Sequence, residues 1–202
     1  WLSAAGNLAF TIVFRPTLAE LPVLNMVASL AVVRAVSRTT GLQPAIKWPN
    51  DVLVGGRKLC GILVDSEVMG ERVSFSLVGI GLNVNLDPSR YPEIADTATS
   101  LSQELGRGVP RLPVLRTILE EAEALYLRVR LGRVGAHGRA PLLGEWRRHM
   151  GMLGQRVAII QGPDVQEGMA EDVAEDGSLL LRLPDGRLIN VVVGQVSLRP
   201  RP

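Results

Sequence analysis

The chain has 202 residues, 47% of them hydrophobic and 21% charged, enough to bury a sizeable core and to leave room for a small second domain. A formal net charge of +2 without a basic and aromatic stripe gives no support for nucleic-acid binding. One cysteine and two histidines, His137 and His149, supply neither a disulfide framework nor metal-ligand spacing, so the expected compartment is the cytoplasm. The apolar stretch at residues 21–33 is too short to span a bilayer and is interrupted by Pro22 and Asn25, so no membrane is expected.

In chain order, Leu8, Phe10, Ile12 and Phe14 alternate with Ala9, Thr11 and Val13, which predicts a strand ending at Arg15-Pro16. Residues 22–40 read as a mostly buried helix stopped by Gly41. Lys47 then stands at a strand end, because Pro49 fixes its own φ and pushes Trp48 toward extended backbone while Asn50-Asp51 turn away. Val52-Leu53-Val54, the hairpin signal Gly55-Gly56 and a returning strand from Lys58 to Val64 follow. Strict alternation places Lys58, Cys60, Ile62 and Val64 on one face of that strand and Leu59, Gly61 and Leu63 on the other. Another strand is predicted over residues 73–81, then a short helix near 100–105, a long one over 113–131 with Leu115, Leu119, Ala122 and Leu125 as its core stripe, and an amphipathic helix over 141–150.

Beyond Gly151 the pattern changes. Short alternating runs are separated by Gln161-Gly162-Pro163, Glu175-Asp176-Gly177 and Pro184-Asp185-Gly186, turn signals whose spacing predicts a small barrel. The expected organisation is an α+β domain over residues 1–150 followed by a barrel over 151–202.

Chemistry concentrates in Lys47-Trp48-Pro49-Asn50-Asp51 and Arg57-Lys58-Leu59-Cys60-Gly61-Ile62-Leu63. A lysine on a strand among apolar neighbours is as often a snorkelling surface residue as a functional one. Gly61 tilts the balance, since glycine inside a strand weakens it and marks close approach by a ligand or another backbone. Cys60 reads as a small core residue, not a nucleophile. A P-loop is absent, and Gly79-x-Gly81 lacks the third glycine of a dinucleotide fingerprint, with Val84 in its place.

These two motifs resemble the catalytic core of biotin protein ligases, whose hallmark is Lys-Trp-Pro-Asn-Asp followed by Lys-Leu-Ala-Gly-Ile-Leu. The chain departs from it only at Cys60, where the family commonly has alanine. The resemblance continues at Ser3 to Asn7, at Gly79-Ile80-Gly81-Leu82-Asn83-Val84-Asn85 and at Gly194-Gln195-Val196-Ser197-Leu198, so it spans essentially the whole chain. It implies a catalytic domain like that of class II aminoacyl-tRNA synthetases and biotin ligases, with a small SH3-like C-terminal domain. In the family a Gly-Arg-rich loop that closes over the activated intermediate directly precedes the tryptophan matching Trp1. That loop is not within these residues, nor is the helix-turn-helix repressor domain that some members carry.

The activity implied is two-step acyl transfer: biotin and ATP give biotinyl-5'-AMP, and biotin then passes to a lysine of a biotin carboxyl carrier protein of acetyl-CoA or pyruvate carboxylase. By the same resemblance Lys58 contacts both the biotin carboxylate and the phosphate, while Lys47 and Asp51 handle ATP phosphates and Mg²⁺, for which Asp51 is the weak metal ligand. Gly61, Ile62, Leu63 and Gly79 border biotin. Trp1, Asn50 and Asn83 join the ATP site, Trp1 beside the adenine and Asn83 at its edge. From sequence alone a core or edge aromatic accounts for Trp1 about as well and simple turn geometry equally for Gly81, while Asn83 at a strand end is more often a turn former and only the resemblance lifts the adenine role above that. A lipoate ligase is the nearest rival, with the intact Lys47-Trp48-Pro49 favouring biotin, and a non-catalytic biotin-binding module is the alternative of a different class. An exposed sheet edge would permit a homodimer.

Overall fold

The computed structural model describes residues 5–131, 136–192 and 194–198. The first sheet is built from β1 (Leu8–Phe14), β2 (Ala45–Lys47), β3 (Asp51–Val54), β4 (Arg57–Met69) and β5 (Arg72–Leu82), all antiparallel in the order β1-β5-β4-β3-β2. The helices are α1 (Leu24–Thr40), α2 (Leu101–Leu105), α3 (Arg111–Leu131) and α4 (Ala136–His149). A second antiparallel sheet follows from β6 (Arg156–Gln161), β7 (Asp164–Val173), β8 (Leu179–Arg182), β9 (Leu188–Val191) and β10 (Gln195–Leu198), ordered β10-β6-β7-β8-β9. The predicted barrel is thus a five-stranded sheet whose edge strands β9 and β10 are not paired with each other among the described residues.

One face of the first sheet is core. Leu8, Leu82, Cys60, Val52 and Ile46 align across all five strands, each at most 8% exposed. Against them packs α1, which also contacts α3 and α4. It ends where Gly41 takes φ +78, the left-handed cap that stops the helix. Together with the 3-10 turn Leu18–Val23 that leads into it, α1 forms a segment of 23 residues long and apolar enough to cross a membrane, longer than the 21–33 stretch read from sequence. Its burial, 72% over the most apolar window, is that of a core helix wrapped by sheet and helices.

Between the helices, Arg34 of α1 donates to Glu145 of α4 at 2.7 and 2.6 Å and to Glu121 of α3 at 3.0 Å. The stripe of α3 differs from the predicted one. Val114, Ile118, Ala122, Leu125 and Val129 are buried, Leu115 is partly buried, and Leu119 is 43% exposed. Ala122 and Leu125 of the predicted stripe are thus realised, and only its first two turns shift by one position, toward Val114 and Ile118, because both faces offer aliphatic residues there.

Candidate functional site

The other face of the first sheet carries mostly small residues at its middle strands. Ala9, Gly81, Gly61, Asp51 and Lys47 stand opposite one another in a row that crosses all five strands, and Thr11, Gly79 and Leu63 form the next row. Small residues make a floor, and charges gather at one end. Over this floor lies a cavity of about 1010 Å³, walled on the far side by Ile160, Gly194, Val196 and Ser197 of the second sheet region.

Lys58 joins the charged end through a departure from strict alternation. Val52 pairs with Cys60 but Leu53 pairs with Lys58, so Leu59 is an extra residue on β4, a β-bulge that re-aims what precedes it. Leu59 and Cys60 both turn inward, each 0% exposed, and Lys58 shares the cavity with Gly61 and Leu63 instead of facing inward with Cys60 and Ile62. The bulge is held from outside the hairpin. Lys58 N donates to Thr97 O at 2.8 Å, Thr99 N donates to Lys58 O at 2.9 Å, and Asn83 N donates to the Leu59 carbonyl at 2.9 Å. The Lys58 ammonium lies 2.5 Å from Asp51 Oδ1, and Lys47 sits opposite Asp51 in the β2–β3 ladder. Two cations therefore flank one carboxylate at the end of an uncharged floor, an arrangement suited to anionic groups.

Of the residues singled out from sequence, Lys47, Asn50, Asp51, Lys58, Gly61, Ile62, Leu63 and Gly79 all border this cavity. Trp1 lies outside the described residues. Asn83 stands apart: it is 4% exposed, its Nδ2 donates to Thr99 O at 3.0 Å and its Oδ1 accepts from Asn7 Nδ2 at 3.4 Å, so its side chain is not presented to the cavity. Gly81, the penultimate residue of β5, is paired with both Ala9 and Gly61 and is not at a turn. Burial pushes the Cys60 thiol up, with the Asp51 charge adding to it, which keeps it protonated and unreactive. Sequence reasoning missed Ala9 and Thr11, for which the alternation of β1 was a sufficient signal. It also missed Asn25, whose Nδ2 donates to the Pro49 carbonyl at 2.6 Å and for which no local signal exists.

Comparison with known proteins gives the family. The model for the biotin/lipoate A/B protein ligase family matches residues 1–85, and that for the biotin protein ligase C-terminal domain matches residues 152–199. The biotin--[acetyl-CoA-carboxylase] ligase of Paracoccus denitrificans is 32% identical over 200 residues, covering 94% of this chain and 79% of that protein. The chain belongs to the biotin protein ligase family. Another relative of this biotin protein ligase family member, the bifunctional ligase/repressor BirA of Bacillus subtilis, is 34% identical over 190 residues, 92% of this chain. The chain spans 57% of that protein's length. Among solved structures, biotin protein ligase from Aquifex aeolicus in complex with biotin and ATP superposes with a TM-score of 0.79 at 29% identity, covering all of this chain and 82% of that one.

Proposed function

We propose that the chain activates biotin with ATP and transfers it to a lysine of a carrier protein. The observation that carries this reading is the glycine-floored cavity with Lys58, Asp51 and Lys47 at one end. An uncharged floor suits a flat, apolar bicyclic acid, and the charged end suits its carboxylate beside a triphosphate. Relatives named as biotin ligases, and a similar structure that holds biotin and ATP, support the assignment.

In the first step a biotin carboxylate oxygen attacks the α-phosphorus of ATP, and the bond from that phosphorus to the bridging oxygen of the leaving group breaks, giving biotinyl-5'-AMP and pyrophosphate. The obstacle is two anions approaching each other. At an effective dielectric near 20, unit charges about 4 Å apart interact by roughly 4 kcal/mol. Lys58 supplies the fixed ammonium that offsets this repulsion and stabilises the charge of the transition state. Lys47 holds the departing phosphates. In the second step the carrier lysine nitrogen attacks the acyl carbon, the acyl–oxygen bond breaks, and AMP and a proton leave.

Among the described residues Asp51 is the one carboxylate that borders the cavity, and no cluster of three metal-ligating side chains occurs. That donor set fits a magnesium ion held mainly by ATP phosphates and water, with Asp51 as its protein ligand. Such an ion would neutralise the triphosphate charge. Within the same reading residues 1–150 are the catalytic domain and 151–202 an SH3-like C-terminal domain, the acceptor is a biotin carboxyl carrier protein of acetyl-CoA or pyruvate carboxylase, self-association uses an edge of the first sheet, and the compartment is the cytoplasm. Incubating the full-length protein with biotin, MgATP and a carrier domain tests it: the carrier mass rises by one biotinyl group, and no gain together with no biotin-dependent pyrophosphate exchange rejects it.

A further inference from the structure

The segment between Lys47 and Asp51 is anchored by three elements remote from one another in sequence. Asn25 of α1 holds the Pro49 carbonyl. Asn50 is tied to β4 twice, its Nδ2 donating to Ile62 O at 2.7 Å and its carbonyl accepting from Ile62 N at 2.9 Å. The third anchor comes from the second sheet: Trp48 Nε1 donates to the Gly177 carbonyl at 2.9 Å. Trp48 is 2% exposed, so breaking this bond would strand a buried donor.

The Gly177 carbonyl is presented by a built turn. Asp176 Oδ1 accepts from Ser178 N at 2.9 Å and from Ser178 Oγ at 2.6 Å, while Gly177 N donates to Ala174 O at 3.0 Å. Three turns of the second sheet carry a glycine at positive φ, Gly162 at +59, Gly177 at +83 and Gly186 at +88. A Cβ at Gly162 or Gly186 would meet nothing within 4 Å, whereas at Gly177 it would come within 3.2 Å of Met26 Cε. Only the middle turn is fitted against the first turn of α1, the same turn that supplies Asn25.

We propose that the Asp176-Gly177-Ser178 turn is a positioning element of the cavity in the first sheet: by holding the Trp48 indole it fixes where Lys47 and Asp51 stand relative to Lys58. None of the three turn residues borders the cavity, so the turn acts through Trp48 and not on a ligand. The activity readout rests on the biotin-activation reading above, because Lys47 and Asp51 are there the groups that meet ATP while the glycine floor meets biotin.

The test compares Trp48→Phe, which keeps an aromatic ring at the cavity wall and removes the donor, and Asp176→Ala, which unties the turn, with Asp185→Ala in the undocked β8–β9 turn, all in the full-length protein. In biotin-dependent ATP–pyrophosphate exchange, the first two variants raise the KM for ATP about tenfold and leave the KM for biotin near the parental value, since displacement of order 1 Å costs one to two decades. Their double variant is no worse than the worse single, as for two changes in one link, and Asp185→Ala keeps parental kinetics. A merely structural role would lower the active fraction and move neither KM, and an unchanged KM for ATP in both variants overturns the proposal. Hydrogen–deuterium exchange gives a readout independent of activity: the amides of Trp48, Asn50 and Asp51 exchange faster in Asp176→Ala while the β6–β7 ladder stays protected. Unchanged exchange there rejects the anchor. If those amides loosen but the parent shows no biotin-dependent exchange of pyrophosphate, the positioning role stands and the biotin reading falls.

Discussion

Removing the ammonium of Lys58 is the sharpest perturbation of the candidate site. The Lys58 side chain is 40% exposed and 2.5 Å from Asp51 Oδ1, so its field acts through a medium closer to an effective dielectric of 20 than to a dry interior. At about 4 Å, each of the two anions that the proposed function places beside it would gain roughly 4 kcal/mol on that scale. Solvent screening discounts the sum to about half, which leaves roughly 4 kcal/mol, or about three decades of rate. Lys58→Ala is therefore expected to lower biotin-dependent ATP–pyrophosphate exchange about 1000-fold. The fold should persist, because Lys58 is held to residues 97–99 by its backbone N–H and carbonyl, which alanine retains, and the Tm should stay within about 2 °C of the parent. Lys58→Arg keeps the charge but replaces a compact point charge by a planar fork, and an intermediate rate is expected. A loss smaller than tenfold in Lys58→Ala at unchanged Tm would refute the charge argument.

Three further outcomes follow from the same structure. Arg34→Leu leaves the partly buried Glu121 and Glu145 without their shared guanidinium and should cost about 2–3 kcal/mol, a Tm drop of about 6–10 °C by calorimetry at pH 7. The Arg34 hydrogen bond holds the Glu145 carboxyl below its ordinary 4.5, and at Glu121 burial pulls upward but Arg34 and Arg38 outweigh it. Both shifts are downward, so their stabilisation is present above about pH 4.5 and lost as pH falls through the folded values; the parent Tm should drop below that pH and the Arg34→Leu profile should be flatter there. Gly79→Val places a branched side chain on the cavity floor, where a Cβ meets nothing closer than 3.7 Å, and titration calorimetry should find biotin affinity reduced at least tenfold with little change in Tm. Gly168→Ala is the opposite case: a Cβ there would lie 2.6 Å from the Arg182 carbonyl, so β7 and β8 must separate, at a cost of about 2–4 kcal/mol seen as a shifted urea midpoint.

Most of the architecture was legible where local signals and burial agree. The alternation of Leu8 to Phe14, the left-handed stop at Gly41 and the glycine turns of the second sheet each act within a few residues, and each was realised. The site's composition was legible too, since ten of the residues that border the cavity lie in the two motifs and at Gly79. What sequence could not supply is geometry set by distant partners. The face of Lys58 depends on a bulge at Leu59 whose carbonyl is met by Asn83 N, and nothing within the hairpin announces it. Asn83 itself carries a motif signal, yet its side chain serves Asn7 and Thr99. The first two turns of α3 give the same lesson on a helix, because Leu119 and Ile118 are equally good core residues until packing chooses between them.

The glycines of the floor separate what the fold needs from what the site needs. Glycine in a strand costs about 0.5–1 kcal/mol relative to alanine, and Gly61, Gly79 and Gly81 all lie inside paired strands. At Gly168 neighbouring atoms forbid a side chain, and at Gly177 the backbone takes φ +83, so the fold itself accounts for glycine at both. At Gly79 neither holds: the surroundings would accept a methyl group in ordinary contact with Leu63 and Thr11, and the backbone has no positive φ to demand its absence. A stability-driven choice at that position would be alanine or a β-branched residue. The space left open lies over the sheet, in the cavity that Lys58 and Asp51 also border, and the simplest use for a floor kept flat at the expense of stability is close approach by a ring system. Gly79→Ala discriminates between the two accounts: gained or unchanged stability with weakened biotin binding assigns the glycine to the site, and lost stability would return it to the fold.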